Sequence, residues 1–220
     1  NIPNLHLQDS GQGFFEFNNS SDVLFEERSN ISETIAKKLN INVKDVFYYV
    51  YGVLNSHEYK QKYSHDLKKE LPRIPILKNK EQFIDVGKKL VDLHINYENV
   101  SPYNQLDIQY NSANPSYKVT KMKFPKKDIK DKIIFNSNIT ISNIPEKAYE
   151  YIVNGRSAIE WIMDQYQVKT DKNSGIVDDP NHYSKDEKYI FNLLLSIINV
   201  SVQTVELVNS LPPLEIESID

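Results

Sequence analysis

The sequence predicts an α+β fold in which helical flanks surround a small, mainly antiparallel strand-rich centre at about residues 104–142, with a long helix near the C-terminal end. Three observations lead there. Apolar residues recur at helical spacing up to about residue 96. Between about 104 and 142 they alternate with a period of two, punctuated by Asn, Ser and Pro. From about 145 onward helical spacing returns, so helices are segregated from strands rather than interleaved with them.

Taken in order, the opening residues combine Asn, Ser, Gly11 and Gly13 with Phe14, Phe15 and Phe17 and read as a loop entering a short strand. A short helix follows at 32–39, then a second on which Val43, Val46, Phe47, Val50 and Leu54 share a face while Tyr48, Tyr49 and Tyr51 point elsewhere, either packed on a neighbour or free to stack on bases. A third helix is expected at 56–70, stopped by Pro72, and Pro72-Arg73-Ile74-Pro75 must be extended because each proline restricts its predecessor. Phe83, Val86, Leu90, Val91 and Leu93 mark an amphipathic helix at 80–96.

Strands are expected at Leu106, Ile108 and Tyr110, at Tyr117 and Val119 continuing after a slip through Met122 and Phe124, at 133–135 and at 139–141. A helix at 145–153 would end at Asn154-Gly155 in a left-handed stop. Ser157 and Glu160 form a capping-box pattern for a helix carrying Ile159, Ile162, Met163 and Tyr166, with Trp161 in the core. Ser184 and Glu187 repeat the pattern for the closing helix at 185–209, after which Pro212-Pro213 leads into an acidic tail.

At 220 residues the chain is read as a single domain spanning 1–220, and its 40% hydrophobic, 11% aromatic and 25% charged residues are those of an ordinary globular protein. No run approaches the roughly 20 uninterrupted apolar residues of a bilayer span, so no membrane partner and a cytoplasmic location are expected. With no cysteine there can be no disulfide, thiolate metal site or cysteine nucleophile. A start at Asn-Ile-Pro without Met reads as a fragment of a longer polypeptide. The net charge of −4 argues against a protein that coats nucleic acid indiscriminately, but residues 118–132 hold seven lysines (118, 121, 123, 126, 127, 130 and 132) against Asp128 and Asp131. That stretch is either a solvated charged loop or a phosphate-binding patch.

No catalytic, cofactor-binding or metal centre can be argued. Neither a P-loop nor a dinucleotide fingerprint occurs, and the five histidines never form H-E-x-x-H. Asp171, Asp178, Asp179 and His182 match no cation loop and read as turn caps around Gly175 and Pro180. Asp66-Leu67-Lys68 and Asp128-Ile129-Lys130 have a nuclease-like spacing that arises by chance in a chain this rich in Asp and Lys. Asn114-Pro115-Ser116-Tyr117 departs from the N-P-P-Y loop of amino-methyltransferases at Ser116 and reads as an Asn-Pro turn.

Two segments, FYYVYGVLNSHEYKQKYSHDLKKELPRIPI from Phe47 and NGRSAIEWIMDQYQVKTDKNSGIVDDPN from Asn154, resemble the C-terminal specificity region of type ISP restriction-modification enzymes, long polypeptides that combine nuclease, helicase, amino-methyltransferase and target-recognition parts. The resemblance implies a target-recognition domain that reads double-stranded DNA for methyltransferase and helicase domains lying upstream in the same polypeptide, with no activity of its own. It identifies no base-reading residue.

The candidate DNA contacts are Arg73, a planar donor in a proline-braced segment beside Lys68 and Lys69; Lys118, Lys121, Lys123, Lys126 and Lys127 as phosphate contacts; and Arg156 between Gly155 and the Ser157 cap. Arg73 serves equally well as a salt bridge orienting the helix pair, and Arg156 is better explained by a structural hydrogen bond. Strict alternation would put Tyr117, Val119, Lys121 and Lys123 on one face and Lys118, Thr120 and Met122 on the other, dividing the charge. The competing reading is a scaffold that binds the methyltransferase or helicase parts without touching bases.

Overall fold

The computed structural model describes residues 31–217; the strand expected around Phe14 and Phe17 lies outside them. Helices α1 (Glu33–Leu39), α2 (Val43–Asn55), α3 (His57–Lys62) and α4 (Lys80–Ile95) come first, strands β1 (Asp107–Tyr110), β2 (Ile133–Ile134) and β3 (Ile139–Ser142) follow, and α5 (Ala158–Gln165) and α6 (Tyr189–Asn209) close the order. Between β3 and α6 lie two small hairpins, β4 (Ile152–Val153) with β5 (Arg156–Ser157) and β6 (Lys169–Thr170) with β7 (Val177–Asp178). The architecture is α+β, as the residue pattern implies.

The helical half is organised by α2 crossing α4. A side-chain carbon on Gly52 would be driven into the Phe83 carbonyl and one on Gly87 into the Tyr48 carbonyl, so both glycines exist to let the two backbones meet. The buried stripe of α2 is Val46, Tyr49, Gly52 and Val53 rather than the stripe through Phe47, which stands 45% exposed. Tyr49 belongs to the core because its hydroxyl has partners there: it donates to Pro75 O at 2.6 Å and accepts from Leu77 N at 3.1 Å. Burial pushes that hydroxyl up to about 12. Tyr59 donates to Arg73 O at 2.9 Å, so two buried phenols clamp the extended segment at 72–77.

The helix expected at 56–70 breaks. Ser56 caps α3, but only Tyr59 of α3 reaches the core, and without an apolar face to bury beyond it the chain survives as a single 3-10 turn at Asp66–Lys68. Helix α4 runs as predicted, with Phe83, Val86, Leu90, Val91 and Leu93 buried.

The sheet has the order β1-β3-β2, antiparallel throughout, with Asp107 opposite Ser142 and Tyr110 opposite Ile139. Ile133, Ile139 and Ile141 are fully buried in a cluster with α5 and α6, where Phe135 meets Phe191 edge-on at 5.3 Å. The strand expected at 117–124 is not regular. Val119 and Met122 are both buried although three residues apart, which strict alternation forbids, and the backbone bonds elsewhere: the Asn181 carboxamide holds both the N–H and the carbonyl of Val119, Val168 N donates to Thr120 O, and only Lys123 pairs with Ile134.

The helix expected at 145–153 is likewise absent; one 3-10 turn at Glu146–Tyr149 gives way to the β4–β5 hairpin. Asn154 and Gly155, at φ 49° and 83°, are the two left-handed residues of a primed hairpin turn, not a helix stop. The Tyr-Ile-Val run before them is better suited to extended backbone than to a helix. Ser157 then caps α5 in a complete capping box with Glu160. Trp161 is half-buried, its indole N–H donating to Val153 O.

Helix α6 begins at Tyr189 rather than 185, because Ser184 accepts from Asp186 N and Asp186 from Lys188 N, two side-chain turns that compete with helix formation. By length and composition α6 could cross a membrane, yet 72% of its apolar window is buried inside the protein. Its first two thirds complete the core of sheet and α5, and Val208 packs on Val86 and Leu90 of α4. The chain then returns to the helical half, where Lys78 N donates to Glu215 O and Glu217 N to Ile76 O. His94 of α4 lies where the halves meet: Tyr51 hydroxyl is 2.6 Å from Nδ1, Thr204 Oγ1 of α6 is 2.8 Å from Nε2, and Tyr151 stacks on the ring at 5.3 Å.

Candidate nucleic-acid interface

The irregular backbone at 116–123 and the loop joining β2 to β3 enclose an open groove of about 350 Å³, lined by Ser116, Lys118, Thr120, Lys121, Lys123, Ile134, Asn136, Ser137 and Asn138. Its charge follows from the broken alternation. Because Val119 and Met122 both turn inward, Lys118, Lys121 and Lys123 are all exposed and border one groove, instead of being divided between two faces.

The loop is fixed by carboxamides. Asn136 donates to Ser116 O at 2.7 Å and Lys118 O at 2.9 Å, and its Oδ1 accepts from Asn138 N at 2.8 Å and Ile139 N at 2.9 Å. Asn111, just past β1, donates its backbone N–H to Asn138 O at 2.8 Å and its amide to Ser137 O at 3.3 Å. Both walls of the groove are therefore tied together by polar side chains. Sequence reasoning did not single out Ser137 and Asn138, although Asn-Ser-Asn between two Ile-rich strands marks a hairpin tip.

Ion pairing separates the candidate cations. Among the described residues, Lys68, Lys118, Lys121, Lys123, Lys126 and Lys127 form no salt bridge with a carboxylate. Arg73 is paired at 3.0 Å with Glu70, three residues before it and outside any helix, and its side chain is 89% exposed, a wet site where the pair contributes little. Lys69 lies 3.0 Å from His65 Nε2. Arg156 reaches Asp164 at 3.4 Å and covers the Trp161 ring at 5.6 Å. None of Lys68, Lys69, Arg73 and Arg156 lines the groove, and Lys126 and Lys127 lie in the exposed loop that leaves it. Lys130 is engaged with Glu160 at 2.9 Å.

The acidic residues near Gly175 and Pro180 shape turns. Asp171 accepts from the backbone of Ser174 and Asn173, and Asp179 from the Asn181 backbone and side chain; these hydrogen bonds hold both carboxyls below the usual range. Asp178 accepts from the Tyr183 hydroxyl at 2.6 Å. No three His, Asp or Glu side chains gather into a metal-sized cluster among the described residues. Chemically the groove offers ammonium groups for phosphates and neutral amide and hydroxyl groups between them.

The sequence model of the Type ISP C-terminal specificity domain matches residues 1–193. A nuclease-deletion mutant of the Type ISP restriction-modification enzyme LlaGI, solved in complex with a DNA substrate mimic, is 59% identical with a TM-score of 0.77, over 81% of this chain and 14% of that one. The ATP-dependent Type ISP restriction-modification enzyme LlaBIII, bound to DNA, is 53% identical with a TM-score of 0.83, over 91% of this chain and 13% of that one. A DrdV–DNA complex is 28% identical with a TM-score of 0.71, over 82% and 20%. The chain thus spans about one seventh of the LlaGI and LlaBIII chains. No curated protein gives a significant match.

Proposed function

The chain belongs to the family of Type ISP C-terminal specificity domains, and from that membership we propose that it recognises a DNA sequence on behalf of a longer restriction-modification polypeptide. Methyltransferase, helicase and nuclease parts would lie elsewhere in that polypeptide, in the cytoplasm, and this chain would act as one unit without catalysis of its own. The observation that carries the reading is the groove: three lysines without carboxylate partners around a polar, hydrogen-bonded loop. Its arrangement suits double-stranded DNA, because ammonium groups position the phosphates while neutral groups between them face the bases. Lys126 and Lys127 extend the positive edge, and Lys68, Lys69, Arg73 and Arg156 are peripheral contacts at most. That the LlaBIII structure is bound to DNA and the LlaGI structure holds a DNA substrate mimic supports the same reading.

The test is replacement of Lys118, Lys121 and Lys123 by alanine in the full-length polypeptide, with DNA affinity measured against salt. Each lost phosphate contact removes about 0.9 from the slope of log K against log salt, so three remove about 2.7. Between 50 and 200 mM salt the wild type should then lose about 40-fold more affinity than the variant. Unchanged binding and slope, with DNA-dependent motor activity lost, would replace recognition by the scaffold role.

A further inference from the structure

We propose that Asn138 is a base-reading residue of the groove, its side-chain carboxamide recognising an adenine edge in the major groove. The inference rests on the reading of the groove as a DNA interface.

It follows from how the asparagines around the groove are used. Asn136 spends its amide on two carbonyls and its oxygen on two backbone N–H groups. Asn181 holds both polar groups of Val119 and also reaches Asp179. Asn111 donates to Ser137 O. These three are structural. Asn138 is the reverse case: its backbone is held at both ends, N–H on Asn136 Oδ1 and C=O on Asn111 N, each at 2.8 Å, while its carboxamide has no partner among the described residues. A fixed backbone carrying a free, half-buried amide in a basic groove is what preorganised recognition requires, since little ordering remains to oppose binding.

The other lining groups cannot discriminate in the same way. Lysines donate only. The Ser116 hydroxyl already accepts from Lys118 N, and a hydroxyl such as those of Thr120 and Ser137 bonds to any base edge. A carboxamide presents a donor and an acceptor side by side, matching N7 and the N6 amino group of adenine in a bidentate pair worth roughly 5- to 150-fold against a wrong base.

The experiment uses the full-length polypeptide, wild type and with Asn138→Ala or Asn138→Asp. Each protein is equilibrated with a duplex pool randomised across the binding site, and the bound fraction is sequenced. Wild type should enrich adenine at one position. Asn138→Ala should flatten that position by roughly 5- to 150-fold while the other positions keep their preference. Asn138→Asp, which can only accept, should move it towards cytosine through the N4 amino group. Replacing the selected adenine by 7-deazaadenine should weaken the wild type and leave Asn138→Ala unaffected. An unchanged preference profile in both variants overturns the inference, as does a uniform loss for all sequences with a shallower salt dependence, which would make Asn138 a backbone contact. The lysine triple variant separates the two levels. If it keeps the wild-type salt slope, the groove is not the DNA interface; if it lowers the slope while Asn138→Ala keeps the profile, only the assignment of Asn138 fails.

Discussion

Replacing His94 by glutamine should make the stability of this chain less sensitive to mild acid. Burial lowers the His94 pKa from 6.5 to about 4, and the ring is neutral between two hydroxyls, Tyr51 at 2.6 Å and Thr204 at 2.8 Å. The unfolded chain, with its pKa near 6.5, binds a proton that the folded chain refuses. Stability is therefore complete above about pH 6.5 and falls as pH drops towards 4, where the loss levels off near 3 kcal/mol. From pH 8 to pH 5 the wild type should lose about 2 kcal/mol through this residue alone. Glutamine does not titrate, and the carboxylates common to both proteins cancel in the difference. Urea unfolding at pH 8 should thus find His94→Gln less stable, by the cost of an imperfect fit between the hydroxyls. At pH 5 the gap should narrow by about 2 kcal/mol, or about 1 M in midpoint for an m-value near 2 kcal/mol/M. A gap of the same size at both pH values would refute the argument, because it would mean that the imidazole charges as easily in the folded protein as outside it.

The glycine crossing gives a second expectation: Gly87→Ala, which in an ordinary helix stabilises by up to about 1 kcal/mol, should here destabilise by about 1–3 kcal/mol, because the methyl meets the Tyr48 carbonyl; urea midpoints decide the sign. At the β4–β5 turn nothing lies within 4 Å of a side-chain carbon on Gly155, so Gly155→Val should cost about 1–2 kcal/mol from backbone strain alone, and Gly155→Asn much less, in thermal unfolding. Ser157→Ala removes the acceptor of the α5 cap and should cost about 1 kcal/mol, with Glu160→Gln milder because it can still bond the Ser157 N–H.

Much of the fold is legible in the residue order because the relevant signals are local. The stripe Phe83, Val86, Leu90 specifies α4 by spacing alone, and Ile139 and Ile141 specify an inward strand face. Where sequence reasoning went wrong, distant partners outweighed the local pattern. Tyr49 falls off the predicted α2 stripe, with no packing partner named, until Pro75 O and Leu77 N are seen to satisfy its hydroxyl. Residues 117–124 look like a strand until Asn181, 62 residues away from Val119, takes over its backbone bonds. The same exchange gathers the groove lysines, which period-two reasoning divides. The Asn-Gly pair was read correctly as a left-handed turn but attached to the wrong element. The separation of Asn138 from Asn136 is tertiary in origin: the two share a residue type and differ only in what their amides touch.

Helix α6 has a further consequence for how the protein is made. It follows every other described helix and strand in the chain, yet both packing clusters that it joins need it, and the pairing of Ile76 and Lys78 with Glu215 and Glu217 comes later still. During synthesis α4 is finished at residue 95 and must wait for residue 208 before its Val86 and Leu90 are covered, an interval of about 5–25 seconds at ordinary elongation rates. Throughout that interval the nascent polypeptide carries apolar surface that α6 has yet to cover. A premature stop before α6 would therefore leave both halves open at once, so this segment answers to the cell's quality control as a unit: complete, or a chaperone and protease substrate.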